Sequence, residues 1–417
     1  MSSVIKIYSL LIGSALLMFG GGLQGLVLSV RGAEEHFSLL ALGLIGTGWS
    51  VGFVAGSITV PMLVKRVGHI RAYSVMAAIG TITILLNLLM VNDIAWIILR
   101  ALSGYCFAGA AMIVESWLNE VTENKSRGTI FSLYSAINMA ASTVGQLAMA
   151  LTGVVGFIPF VVGAISFICA LLPTALTSKP QPRPLQSAKL DVRLLYRTSP
   201  VAAIAAFAIG MANGTFGTLA PVYGYSQHLD AAGISYLMCL TVIAGAAAQI
   251  PAGRISDRID RRKVIIALST VAAVMAAILV LLDPQGGWPL YVLFGIYGLC
   301  AYPLYGIAVA HANDSAKDGD FAKISSAMLL IMGVGLAIGP AIAPPLMTNI
   351  KPVAMFIVTA TFHGALAIST FLRMRARPTR RTLRSRFRPM WGDKAQTPET
   401  VALDPRADDA ADAQQVL

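Results

Sequence analysis

The stretch GRISDRIDRR, Gly253–Arg262, gathers four arginines and two aspartates into ten residues of a chain that is 12% charged and 56% hydrophobic. A membrane surface explains such a cluster, because loops on the cytoplasmic side of a bilayer retain positive charge and sit at headgroup level. On both sides of it the chain is apolar for about twenty residues at a time, the length a helix needs to cross a hydrocarbon core about 30 Å thick. Backbone in that core must satisfy its own hydrogen bonds, so each apolar run is read as a helix.

Twelve such runs are laid out at 7–30, 38–64, 72–92, 94–118, 129–153, 155–177, 200–225, 232–253, 264–283, 288–311, 324–347 and 352–373. The reading is an all-α membrane protein, in keeping with a mean hydropathy of +0.72. The polar stretch Ser178–Ser199 divides the array into two six-helix bundles, 1–177 and 200–373, and residues 374–417 form a basic, then disordered tail. With the N-terminus inside, the outer loops hold only Arg31 and Lys351, Arg100 lies within a span, and every other lysine and arginine falls inside. Both termini are therefore expected in the cytoplasm, with the chain in the cell's inner membrane. The net charge of +11 is accounted for by topology and anionic lipid at the basic tail and loops, so nucleic acid is not an expected partner. The run after Lys6 has no clear small-residue cleavage pattern and is kept as the first span rather than a signal peptide. Cys106, Cys169, Cys239 and Cys300 all fall inside spans and are read as packing thiols.

The two halves repeat. At an offset of 192–194 residues Pro61–Arg71 falls on Gly253–Lys263, Arg100 and Gly104 fall on Phe294 and Gly298, Asn119 and Glu120 on Asn313 and Asp314, and Gly145 on Gly339. Parallel repeats of this kind are a transporter architecture with substrate bound near the midplane between the halves.

On these residues the chain resembles the major facilitator superfamily of secondary transporters over roughly residues 5–373. Gly253, Asp257, Arg258, Arg261 and Arg262 match the family signature G-x-x-x-D-R-x-G-R-R, with Asp260 in place of its second glycine. The first-half copy has Pro61 and Lys65 for the first glycine and the aspartate but keeps Arg66 and Gly68. Arg100-x-x-x-Gly104 and Gly335-x-x-x-Gly339-Pro340 are further family-like elements. The resemblance implies a cytoplasmic latch at Asp257 and Arg258 that favours the outward-facing state. It also implies that the first, fourth, seventh and tenth spans line a central cavity.

Read without the family, Gly253 permits a close turn between two spans and the arginines anchor it. Asp257 and Asp260 add nothing to a positive-inside anchor, which favours the latch for the second half. A carboxylate at a helix N-terminus is held by the helix dipole, and one paired with arginine makes a contact specific to one conformation. Lys65 and Arg66 are read as an anchor.

Ionisable groups at membrane depth are costly and mark function. Arg100 and Glu115 stand out, both in the fourth span, about 60° apart around the helix and about 22 Å apart along it. Glu115 is a candidate for proton coupling, or else pairs at the interface with Lys125 or Arg127. Arg100 either attracts an anionic substrate or caps structural carbonyls. Gln24, Tyr105, Asn213, Tyr302 and Tyr305 are uncharged candidates for the cavity wall, or interhelical hydrogen bonds, and Pro303 is expected to bend the tenth span. Gly20–Gly22, Gly104, Gly333, Gly335 and Gly339 offer small faces for close helix contact, and Pro340, Pro344 and Pro345 are expected to kink or end the eleventh span. In the tail, Leu383, Phe387 and Trp391 recur at every fourth residue among arginines, the pattern of a helix lying on anionic lipid.

No Walker motif, metal cluster or nucleophile–base set occurs, which speaks against ATP-driven pumping, a cofactor or an enzyme. The expectation is a monomeric secondary transporter moving a small molecule by alternating access, with proton-linked export of partly apolar compounds preferred. Proton-coupled uptake of a metabolite, with Arg100 on its carboxylate, and a non-transporting sensor or scaffold on the same fold stay open.

Overall fold

The computed structural model describes residues 3–122, 127–172, 191–316, 320–376 and 397–398. The helices are α1 (Ser3–Glu34), α2 (Leu39–Val67), α3 (His69–Leu89), α4 (Asp93–Val121), α5 (Arg127–Thr152), α6 (Ile158–Cys169), α7 (Val192–Thr198), α8 (Pro200–Ser226), α9 (Ala231–Arg258), α10 (Arg261–Leu282), α11 (Gly287–Ala301), α12 (Pro303–Asn313), α13 (Phe321–Asn349) and α14 (Met355–Ala376). Among the described residues, ten spans are long and apolar enough to cross a membrane, with α11 and α12 counted as one. α5 and the shorter apolar α6 complete the twelve-span order. Large apolar side chains cover the outside, with Leu89, Leu151 and Leu281 at 76%, 92% and 82% exposure, a surface suited to lipid rather than water. α5 carries polar side chains into the interior, where Tyr134, Asn138 and Gln146 are buried.

Polar residues start the helices where the chain leaves the bilayer. The Ser38 hydroxyl accepts from the Ala41 amide, and Asn92, Asp230 and Asp260 cap α4, α9 and α10 in the same way. The face of the bundle holding Gly68 and Ile259–Asp260 is called here the latch face, and the opposite one the far face.

Several sequence expectations change. The region Pro61–Arg71 is almost all helix, broken only at Gly68, whose φ of 85° lies where glycine is favoured. Gly253 makes no turn: α9 runs through it to Arg258, and Ile259–Asp260 alone join α9 to α10. Asp257 consequently lies in the last turn of α9, and the acid at a helix N-terminus is Asp260. The linker also contains structure, since Asp191 caps the short α7 and Leu195 of that helix is fully buried. Pro303 does break its span, at Tyr302. α13, by contrast, continues through Pro340, Pro344 and Pro345 to Asn349. The arginine-rich tail segment with Leu383, Phe387 and Trp391, and the side chains of Lys125 and Arg127, lie outside the described residues.

The repeat is visible in backbone contacts. A Cβ at Gly145 would overlap the carbonyl oxygen of Phe19, and one at Gly339 that of Met211. Gly104 stands in the same way against Trp49, and Gly298 against Thr241. Each pair of partners is related by the offset of 192–194 residues, so the two halves use the same close crossings.

The halves meet toward the far face. Thr47 Oγ1 donates to the Ala337 carbonyl at 2.7 Å and Ser50 Oγ to that of Leu336 at 3.3 Å. Pro340 has no N–H to bond Leu336, so the carbonyl it frees is served by a side chain from the other half. Gly43 packs on Pro340 and Pro344, Gly46 on Thr218, and the Cys239 thiol lies 3.5 Å from the Thr143 carbonyl.

Candidate functional site

Two buried polar clusters share α4, one toward each face. Toward the far face Arg100, 7% exposed, donates from Nη1 to Gln24 Oε1 at 2.9 Å, and Ser103 Oγ donates to the same oxygen at 3.1 Å. The guanidinium lies 5.7 Å from the centre of the Trp49 ring, within range of a cation–π contact. No carboxylate pairs with Arg100 among the described residues. Gln24 is turned so that its oxygen serves the arginine, and its Nε2 is buried without a hydrogen-bond partner among the described residues.

Arg100 and Trp49 line a cavity of about 40 Å³ between the halves, walled also by Ser29, Ser50, Asn213 and Thr218. That space suits a few waters at most. It lies beside the Thr47 and Ser50 contacts that close the far face, so it widens only if α2 and α13 part. The Ser29 and Ser50 hydroxyls donate to backbone carbonyls, which leaves the guanidinium, the Asn213 amide N–H₂ and the Thr218 hydroxyl as the donors on the cavity wall, a set chemically matched to an anionic group.

Toward the latch face Glu115 is fully buried, about 9 Å along the helix from its end at Val121. Tyr134 Oη of α5 donates to Glu115 Oε1 at 2.6 Å. The hydroxyl of Thr397, also fully buried, donates to Oε2. Beside this pair Ser14 of α1 donates to Asn138 Oδ1 at 2.7 Å, and Asn138 Nδ2 has no partner among the described residues.

Of the candidates read from sequence, Arg100 and Asn213 line the cavity, Gln24 reaches it only through its hydrogen bond with Arg100, and Glu115 stands apart from them. Tyr105 instead accepts or donates a hydrogen bond with Thr59 at 3.1 Å across the α2–α4 contact. Tyr302 packs on Gly245 of α9, and Tyr305 is embedded in the apolar core of the second half. Trp49, Ser50 and Tyr134 were not among the candidates. A stripe at Tyr134, Asn138 and Ser142, one residue every helical turn, was the signal in the sequence for α5; Thr397 carried none.

At the latch face the central residue is Arg261, 2% exposed. Its Nε reaches Asp314 Oδ2 at 2.6 Å and its Nη1 reaches Asp257 Oδ1 at 2.9 Å and Ser256 Oγ at 3.0 Å. Arg262 pairs with Asp260 at 2.8 Å. Arg258 and Arg66 are exposed, Gly253 is buried in α9, and Gly68 forms the α2–α3 joint. Asp257 is thus drawn to Arg261 and the end of α12 within its own half.

The family model for the Major Facilitator Superfamily matches residues 10–235 and 202–405. The chain is 24% identical over 332 residues to the uncharacterized MFS-type transporter YcaD of Shigella flexneri serotype 5b (strain 8401), covering 79% of this chain and 85% of that protein. The Shigella sonnei (strain Ss046) protein of the same name matches to the same extent. Among solved structures, the nucleoside transporter NupG superposes with a TM-score of 0.74 at 14% identity, covering 89% of this chain and 99% of that one. A point mutant of NupG gives 0.76 at 13% identity, with 88% and 99% coverage. Twelve-span helical order, a repeat with shared glycine crossings and a family match over most of the length agree: this chain is a multi-pass membrane transporter belonging to the major facilitator superfamily.

Proposed function

We propose that the protein moves a small solute bearing an anionic group by alternating access, with Arg100 as the group that receives the charge. The observation behind this reading is the buried Arg100 without a carboxylate partner among the described residues, facing a cavity between the halves beside the unpartnered Gln24 Nε2. A charge at membrane depth without a counter-ion is expensive, and a substrate anion supplies one. Trp49 offers an aromatic wall, which suits a solute that is partly apolar besides its charge.

The latch face is proposed to be cytoplasmic, following the arginine distribution, in the cell's inner membrane. On that assignment the contacts of Thr47 and Ser50 with α13 close the extracellular side. Glu115, on the cytoplasmic side of the same helix, is the proposed proton-handling group, because its carboxylate is buried and bonded by the Tyr134 hydroxyl. The groups that receive solute and proton then lie toward opposite ends of α4.

The test is a thermal-shift screen of the purified protein against small carboxylates, sulfonates and phosphate esters, with sugars and amines as controls. An anion at a hundred times its Kd adds about 2.7 kcal/mol to stability. The reading expects anionic hits that vanish in Arg100→Gln. Hits confined to neutral or cationic solutes, undiminished in Arg100→Gln, overturn it.

A further inference from the structure

The cavity beside Arg100 has a second wall, supplied by α8 of the other half through Asn213, Gly214, Gly217 and Thr218. At about 100° and 1.5 Å per residue these four positions share a face about 140° wide. The two glycines take its middle and the two polar side chains its edges, about 7.5 Å apart along the helix. The face is therefore a shallow notch flanked by an amide and a hydroxyl.

Neither flanking group is engaged within the protein. Hydroxyls and amides inside a helix can bond the carbonyl one turn back. Thr215 of the same helix does so, donating to the Met211 carbonyl at 2.8 Å, and Asn87 of α3 donates to that of Thr83 at 2.8 Å. The side chain of Asn213, 7% exposed, makes no hydrogen bond among the described residues, and neither does that of Thr218. A buried polar group left unpaired is costly, so a ligand that pairs it binds more tightly.

The chemistry of that second contact follows from the groups present. An amide and a hydroxyl each donate and accept, which suits a hydroxyl on the solute. An ammonium does not suit the place: it would meet the Arg100 guanidinium, and no carboxylate lines the cavity among the described residues. The space between the walls is about 40 Å³, which sets the hydroxyl close to the anionic group, on the first or second carbon from it.

We propose that the solute is a hydroxycarboxylate, with its carboxylate on Arg100 of the first half and its hydroxyl on Asn213 and Thr218 of the second. The inference rests on the anion reading at Arg100 and adds the residues that select among anions. A solute held in this way ties the two bundles together, whereas a plain carboxylate engages the first bundle alone.

Mandelate, phenylacetate and phenylglycine share one apolar body and one carboxylate, and differ at a single carbon that bears a hydroxyl, a hydrogen or an ammonium. Calorimetric titration of the purified full chain is expected to rank mandelate about tenfold above phenylacetate, the contribution of a hydrogen bond or two. Phenylglycine is expected below both. In Asn213→Ala, a substitution that suits a helix interior, mandelate should fall toward the affinity of phenylacetate while phenylacetate keeps its own; a merely structural role would weaken both alike. Thr218→Val, at a half-buried position, is the second variant and should narrow the same ratio. A ratio that narrows in either variant supports the proposal. Equal binding of mandelate and phenylacetate by the wild type, or a ratio undiminished in both variants, overturns it. If the two acids bind alike and both are lost in Arg100→Gln, the anion reading stands and the hydroxyl assignment alone has failed. If neutral solutes bind and no carboxylate does, the anion reading has failed and this inference with it.

Discussion

Arg100 and Glu115 make separable claims. Arg100→Lys keeps a positive charge but loses the planar fork that reaches Gln24 and faces Trp49, so it is expected to bind anions more weakly, as is Arg100→Gln. Titration of an anionic hit against the three proteins checks this, and equal affinities would remove Arg100 from the site. Glu115→Gln retains a group that accepts hydroxyls but does not titrate. It is expected to leave anion binding intact and abolish dependence of transport on a proton gradient, measured with a pH-sensitive dye in proteoliposomes. Both residues were legible in the sequence because a charge in an apolar run is conspicuous. Their surroundings were not: Trp49 and Ser50 come from α2, and nothing in their local spacing sets them apart from residues that pack against lipid.

Helix crossings show why glycine position matters more than glycine content. A Cβ at Gly52 would overlap the Ala101 carbonyl, and backbone has no rotamer with which to yield. Gly52→Ala should destabilise the protein by about 1–3 kcal/mol, as overpacking does. Gly364, inside α14, has nothing within 4 Å of that position, and Gly364→Ala should be neutral or slightly stabilising through helix propensity. Melting curves of the two variants in one detergent decide it; an equal loss at both sites would mean that backbone conformation, not crossing distance, is at issue. The Arg261 clamp joins the ends of α9 and α12 at the start of α10. Removing a charge from a buried pair costs about 3–5 kcal/mol, and Arg261→Ala should fall at the low end because Asp257 remains partly solvated. Arg258→Ala, on an exposed side chain, should leave the melting curve unchanged. The sequence presents these arginines as equals within GRISDRIDRR. Only the continuation of α9 to Arg258 and the cap at Asp260 turn one inward and leave the other in solvent.

The whole molecule was readable as an order of spans because the bilayer imposes a length that apolar runs must meet. The repeat was readable too, and the paired crossings of Gly145 with Phe19 and Gly339 with Met211 give its physical content. The conformation was not readable: which face is closed depends on hydroxyls from α2 finding carbonyls of α13, a match between residues nearly three hundred positions apart. Nor does the fold set the direction of net transport, since a secondary transporter runs as its gradients dictate. Thr47→Val together with Ser50→Ala removes both far-face hydrogen bonds and is expected to shift the population toward a form open on that side. The direct measurement of alternating access is the distance between spin labels at the two ends of the α2–α13 pair, Leu40 with Ile350 at the far face and Lys65 with Lys323 at the latch face. The account predicts two populations, with the double variant lengthening the first distance while shortening the second. A single unchanging distance at both faces, in the wild type and the double variant alike, would contradict it and leave a fixed scaffold built on a transporter fold.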